Sequence, residues 1–515
     1  MPESVYDLVT RPWLLARPLG TGAETKSVGL RELLARAHEY ADVEVPLPPA
    51  TAGLWRILAL LTARVTGLDA AEDLEDWLGR RAEVLARGHL SEDAVDSYFA
   101  AHEGRFDLFG ASGRPWMQDP RLREQCPKSA GVNKLVWGRP AGNNLVWLGH
   151  HVDSSPAPVT AAEAAWSLLA WLYNGPSGRC ASREVADTKE ANVTAGPLRR
   201  VLSYHPAGPD LFHSLVLNIP YPGDESDPTP APWETVELPD PLGLPPSGEG
   251  LAGVLVSRYR HALLLDPDAE GEQVVDAWIT WAWRHPGVEV RDPYLIHDTS
   301  KAGDVYARRA DADRAVWRDL DALLLKASAD GQTRRPRILD WCGSNMDLSV
   351  RVRRDLSLRA FGFDQDGQTR DKQWFTATTP PVLQWLADEE AGAAPEAAHR
   401  VSAAREAAER SGRALSAVLR AGWHQATGVN EGAGPWLRSG LSRYWQRAEQ
   451  EFWAIVFDED RSGPGNTFIH TAVGAFDHVT EPYARRPRMA EALEKVRRGL
   501  YSGWTTPAST TEESQ

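Results

Sequence analysis

The chain has 515 residues, of which 42% are hydrophobic and 25% charged, with a formal net charge of −15 at pH 7. That length supports two or more domains with substantial cores, while the acidity excludes a protein that grips free nucleic acid by charge alone, since neutralising phosphates needs a basic surface. Cys126, Cys180 and Cys342 are isolated and odd in number, which argues against a disulfide framework or zinc knuckle, and no apolar run reaches the roughly 18 residues of a membrane span.

The start, MPESVYDLVTRPWLL, has no basic stretch leading into an apolar one, so no secretory signal is expected. With reduced thiols, the expectation is a cytoplasmic protein without membrane association. Tyr6, Leu8, Trp13 and Leu15 alternate about Arg11-Pro12 and predict an early strand interrupted by proline at a sheet edge. Val28 to Tyr40 predicts a helix through Leu30, Leu33, Leu34 and Ala37. After the turn at Pro46 to Pro49, the spacing of Leu54, Ile57, Leu58, Leu61 and Val65 predicts a stronger helix that Gly67 stops. A further helix is expected over about Glu72 to Arg87. Arg105 to Pro120 is dense in aromatics and turn residues; its periodicity reads as a packed surface turn anchored by Phe106, Phe109 and Trp116.

The most informative stretch is Asn143 to Cys180. Thr160 and Glu163 have the Thr-x-x-Glu spacing of a capping box, and Asn174-Gly175-Pro176 supplies a stop. Between them Ala164, Ala165, Trp166, Leu168, Leu169, Trp171 and Leu172 leave almost no polar face, which predicts a buried helix. Such a helix presents two loops: Asn143 to Pro156, with Trp147 and the pair His150-His151, and the Gly-containing Gly175 to Ser182.

Pro220 to Gly250 reads as a long surface loop. Between Arg334 and Lys372 nine basic residues face six acidic ones, a local excess in an acidic chain. Asp366-Gly367 between extended flanks predicts a hairpin, because a type I′ turn favours both residues at positive φ. Beyond Thr379-Pro380 only helical patterns remain. One starts at Val401, one follows Pro435, and two cover Asn466 to Val479 and Met489 to Leu500. The expected architecture is α+β: a mixed α/β N-terminal domain over 1–379, a C-terminal four-helix bundle over 380–504, and a disordered tail over 505–515.

Catalytic signatures are sparse. No phosphate loop, His-Glu-x-x-His or Gly-x-Ser-x-Gly elbow occurs. His150, His151 and Asp153 are the one metal-like cluster and carry the alternative reading of a metal-dependent hydrolase, although neighbouring side chains on extended backbone point opposite ways. On the residues alone, this is a two-domain protein with presented loops and no visible catalytic centre.

The order of YDLVTRPWLL, VGLRELLARAHEY, RFDLFGASGRPWMQDP, NNLVWLGHH and AEAAWSLLAWLYNG resembles the CasA family, the large subunit of the type I-E CRISPR surveillance complex Cascade. The most specific piece is Phe106 to Pro120, and the resemblance runs over nearly the whole chain. It implies a non-enzymatic protein with a mixed α/β N-terminal domain and a C-terminal four-helix bundle, needing no cofactor; some family members carry Cys pairs suggestive of zinc, which this chain lacks, so no metal is expected. The implied partners are the CRISPR RNA-containing Cascade subunits, target double-stranded DNA and the system's helicase–nuclease. The implied role is to read the short motif beside the target (the PAM), start strand separation and R-loop formation, and help recruit the nuclease, while guide RNA reads the sequence. Carried onto this chain, the loop near the RNA end and the PAM is Asn144, Leu145, Val146, Trp147, Leu148 and Gly149, with Trp147 alternatively a core residue. The glycine loop is Gly175 and Gly178. The wedge hairpin is Gln365, Asp366, Gly367 and Gln368, with Gln368 as the wedge, and Lys301 is the lysine reaching the minor groove.

Overall fold

The computed structural model describes residues 5–111, 113–142, 146, 148–223, 229–286, 290–325, 331–342, 348–365, 371–388, 396–429, 433–458 and 464–502. The expected tail over 505–515 lies outside them. Contacts divide the chain into two units, Met1–Arg314 with Lys326–Ala387, and Ala315–Leu325 with Asp388–Gln515.

In the first unit, β1 (Leu14–Pro18) pairs antiparallel with β2 (Lys26–Val28) and β3 (Tyr40–Glu44). The strand expected across Arg11-Pro12 begins only after the proline, and the residues before it form turns. The helix expected over Val28 to Tyr40 shrinks to α1 (Leu30–Ala35). At Arg36 the backbone leaves helical values (φ −109°, ψ 19°), and from Tyr40 onward the chain pairs with β1 instead. Sheet pairing therefore overrides a helical pattern too short to resist it.

The other early helices follow their signals. α2 (Thr51–Thr66) is buried on nearly every side and ends at Gly67 in the left-handed region. α3 (Leu74–Arg87) is capped by Asp73, whose carboxylate accepts from the Asp76 N–H at 2.8 Å, and α4 (Glu92–Ala101) is capped by Ser91. The aromatic turn that follows buries Phe106 and Trp116. Asp107 holds it by accepting from the N–H groups of Tyr6, Phe109 and Ala111. Two single turns, α5 (Leu122–Gln125) and α6 (Val132–Leu135), precede β4 (Val159–Thr160) and the buried helix α7 (Ala161–Asn174).

β5 (Gly178–Val185) and β6 (Thr188–Val193) form a separate antiparallel pair. β7 (Leu202–Ala207) leads into α8 (Leu211–Leu217), and α9 (Gly250–Leu255) ends a stretch whose described residues carry no helix or strand, as the composition of Pro220 to Gly250 implied. β8 (His261–Pro267) and β9 (Gln273–Trp281) pair along their length, with β4 added on β9. β10 (His297–Thr299), β11 (Val305–Ala307) and, past α10 (Leu320–Leu324), β12 (Thr333–Arg334) make a small sheet. α11 (Val350–Arg354) then precedes β13 (Ser357–Gln365) and β14 (Asp371–Thr378), which join β7 in the order β14-β13-β7.

The second unit is helical. α12 (Glu396–Thr427), α13 (Gly434–Phe457), α14 (Pro464–Thr480) and α15 (Pro487–Arg497) form the C-terminal bundle, with Pro435 in the first turn of α13 as its sequence position predicts. α10 and the turn before it belong to this unit. Trp317 is fully buried with its ring 4.5 Å from Phe452, and Arg318 lies 3.7 Å over the Trp445 ring while donating to Glu409 at 2.8 Å. Trp317→Ala should therefore destabilise the bundle by about 3–5 kcal/mol, read from denaturant unfolding of the whole chain.

Two core histidines give a pH signature. Burial, aided by the nearby Arg56 charge, holds His205 well below the ordinary imidazole range, and burial brings His261 down to about 4. Unfolding returns both to about 6.5. The unfolded chain thus binds more protons in that interval, and stability is lost as pH falls through it. The thermal midpoint is expected to drop between about pH 7 and about pH 5, and less steeply in His261→Gln; an unchanged slope would contradict the assignment.

Candidate nucleic-acid interface

α7 places the candidate loops, and both its ends are tied. At the start, the Thr160 hydroxyl accepts from the Glu163 N–H (3.3 Å), and the Glu163 carboxylate accepts from the Thr160 N–H (3.2 Å). At the finish, the Tyr173 carbonyl accepts from the Leu198 N–H and the Asn174 carbonyl from Arg199 Nη1 (3.0 Å), which satisfies groups that a helix end leaves open.

Of the loop before α7, Asn144, Leu145 and Trp147 lie outside the described residues. Leu148 is 88% exposed and sits at φ 60°, a conformation that costs a branched residue energy and is kept where surroundings or function demand it. Gly149 donates its N–H to the Val146 carbonyl. Asp153 braces the loop by accepting from the Gly142 N–H (2.8 Å) and Asn133 Nδ2 (3.1 Å), and these bonds hold its carboxyl below the usual range. Both its oxygens are thus engaged, and among the described residues no three His, Cys, Asp or Glu side chains converge on a metal position. The hydrolase reading of His150, His151 and Asp153 has no such cluster to rest on.

The two glycines of the second loop differ in kind. A Cβ on Gly175 would lie 2.5 Å from His261 Nδ1 and 2.7 Å from the Trp171 carbonyl oxygen, so its bare backbone serves internal packing. Gly178 has φ +124° and open space where a side chain would point, which is the geometry for close approach by another molecule. Beside it lies a cavity of about 440 Å³ lined by Lys134, Gly142, Trp171, Pro176, Arg179 and His261. The Lys134 ammonium sits 5.5 Å from the Trp171 ring centroid, and burial lowers its pKa.

Lys301 is exposed in the turn joining β10 to β11, where the Gly303 N–H donates to the Ser300 carbonyl and the Ser300 N–H to that of Asp304. It makes no ion pair among the described residues. Of the expected hairpin, β13 and β14 are antiparallel with Gln365 opposite Asp371. Asp366, Gly367 and Gln368 lie outside the described residues. Gln365 is buried at the end of β13 and donates through Nε2 to Asp371 Oδ1 (2.7 Å), so its amide nitrogen is engaged inside the fold.

One arrangement looks catalytic. The Ser203 hydroxyl lies 2.8 Å from His205 Nε2, and His205 Nδ1 lies 2.8 Å from Asn218 Oδ1. All three are fully buried, Arg56 Nη2 donates to the same serine oxygen, and Tyr294 stacks on the imidazole at 4.4 Å. A nucleophile that substrate cannot reach is a core hydrogen-bond chain.

The model of the family described as CRISPR-associated protein Cse1 matches residues 7–470. This chain belongs to the Cse1 family. The curated CasA/Cse1 protein of Thermus thermophilus is 29% identical over 329 residues, covering 62% of this chain; the chain spans 60% of the length of that relative. Among solved structures, a chain of a CRISPR RNA-guided surveillance complex is 51% identical with TM-score 0.88, covering 97% of this chain and 100% of that one. CasA (Cse1) of Thermus thermophilus (19%, TM-score 0.75, 97% and 99% covered) and Cse1 of Thermobifida fusca (17%, TM-score 0.75, 97% and 98%) share the fold. The family resemblance and the α+β fold expected from the sequence both hold.

Trp137, Arg199 and Asp371 were missed by sequence reasoning and meet beside α7, as described below. Lone residues this far apart in sequence carry no local pattern. The steric reading of Gly175 predicts that Gly175→Ala lowers the stability of the free Cse1-family chain by about 1–3 kcal/mol with no nucleic acid present. Combining it with His261→Ala should cost less than the sum of the two, as a thermal double-mutant cycle would show.

Proposed function

We propose that this chain is the non-catalytic large subunit of a cytoplasmic type I-E CRISPR surveillance complex. In this reading it recognises the PAM in double-stranded target DNA, promotes strand separation and R-loop formation, and helps recruit the helicase–nuclease. The observation that carries the proposal is the 51% identity, over 97% of this chain, to a chain of an RNA-guided surveillance complex. The acidic balance supports it, because a subunit docked on RNA and basic partners has no need to hold DNA alone.

The candidate contacts divide by chemistry. Lys301 is a cation on an exposed turn, suited to the acceptor-rich floor of a minor groove. Gly178 offers backbone without a side chain in the way, and exposed Leu148 offers an apolar contact to a neighbouring subunit or RNA end. The tip joining β13 to β14 is the wedge, with Gln368 the residue that displaces or stacks on a base pair. Since Gln365 is engaged internally, the wedge role falls on the tip beyond it.

The test is duplex binding by the reconstituted complex, with and without this chain, at one fixed salt concentration and with targets differing only in the flanking trinucleotide. Discrimination among flanks is expected only when the chain is present. Lys301→Ala should weaken binding to the preferred flank about tenfold, near 1.4 kcal/mol, and reduce the salt dependence by roughly one counterion. Equal binding to every flank with the chain present would sink the reading.

A further inference from the structure

One carboxylate gathers three donors from three separate parts of the first unit. Asp371 Oδ1 accepts from Gln365 Nε2 (2.7 Å) and from Arg199 Nη2 (3.1 Å), while Oδ2 accepts from Trp137 Nε1 (3.0 Å). Gln365 belongs to the candidate hairpin, and the other two donors adjoin the other candidate elements. Trp137 stands just before the loop that precedes α7, and its ring packs 5.6 Å from Trp171 of α7 and 6.1 Å from Phe363 of β13. Arg199 is fully buried and its other arm donates to the carbonyl of Asn174, the last residue of α7, directly before Gly175. Gln365 and Asp371 are the paired residues at the base of the β13–β14 hairpin, where the register shifts between Asp364 and Gln365.

We infer that Asp371 is a positioning residue that fixes the β13–β14 base against the C-terminal end of α7 and the segment at Trp137, so that the hairpin base, the approach to the loop before α7 and the start of the glycine loop share one geometry. The bond from the Arg199 guanidinium is charge-assisted and directional. Removing a carboxylate from a buried guanidinium is costly, so the arrangement is held firmly. Side chains that touch no ligand still decide how well a recognition surface is preorganised. Asp371 itself is one-third exposed, so its role is to hold its three donors, with no core space to fill. The link to flank readout rests on the function proposed above; the coupling between the three segments does not.

Two measurements on the full chain separate these. In hydrogen–deuterium exchange, Asp371→Asn should raise exchange not only around residues 365 and 371 but also at 173–176 and 137–142. Exchange confined to β13 and β14 overturns the inference. In the reconstituted complex the same substitution should cut discrimination between preferred and non-preferred flanks about tenfold, while binding to the non-preferred flank stays unchanged. An equal loss for all flanks indicates a purely structural residue and overturns the readout role. Trp137→Phe keeps an aromatic ring but removes one donor, and should shift both readouts the same way by a smaller factor, even if Asp371→Asn fails to fold. Added to Asp371→Asn it should do little more, since the bond is already gone. If the unsubstituted complex shows no flank discrimination, the proposed function fails, and the exchange pattern alone decides the coupling.

Discussion

A helix with no polar face has to be enclosed on every side, and α7 imposes that constraint on the first unit. Trp166 packs 5.1 Å from Trp13, Trp171 donates to the Leu135 carbonyl, and the Tyr173 hydroxyl reaches the Leu255 carbonyl. Asn174 donates to the Pro49 carbonyl at 2.7 Å, and Gly53 of α2 is bare where the Tyr173 ring presses against it. Each apolar side chain so buried contributes about 1.5–3 kcal/mol, and the polar groups of Trp171, Tyr173 and Asn174 find partners, as burial requires. The consequence is that the chain enters and leaves α7 at points held by hydrogen bonds. Loops that start from rigid points are what a recognition surface needs.

A second buried device lies beside the first. Arg56 on α2 meets Asp292 with bonds of 2.8 and 2.9 Å, lies over the Tyr294 ring, and donates to Ser203. The Ser203–His205–Asn218 chain continues from it into α8 and β7. Every member is buried and bonded, so this polar interior joins helices to the β7–β13–β14 sheet without opening a path to solvent. The same three residue types at a cleft would read as a nucleophile and its base; here burial keeps the imidazole neutral and unreachable. Position in the fold, not residue type, separates structural polar chemistry from catalysis.

The acidic chain and its family also fit one another physically. An isolated subunit with a charge of −15 repels a phosphate backbone at long range. Under the proposed function, a larger assembly supplies the attraction and local features make the approach: a lysine on an exposed turn, a glycine with open space, a hairpin. Such contacts favour readout over grip, since their energy depends on placement more than on net charge.

The sequence by itself determined the elements governed by neighbours a few residues away. The limits of α2, the capping box and stop of α7, Pro435 in the first turn of α13, and the antiparallel flanks of Asp366-Gly367 all follow from rules acting within one or two turns of chain. Motif order alone was enough to identify the family. The tertiary structure decided the rest. It cut the helix after Val28 short because Tyr40 to Glu44 gained more by pairing with β1. It turned Gln365 inward, gave Gly175 a steric reason in His261, drew Ala315 to Leu325 in among the bundle helices, and brought Trp137 and Arg199 onto Asp371 from 234 and 172 residues away. These outcomes depend on which surfaces meet once the chain is folded, and no local periodicity encodes a contact made across such distances.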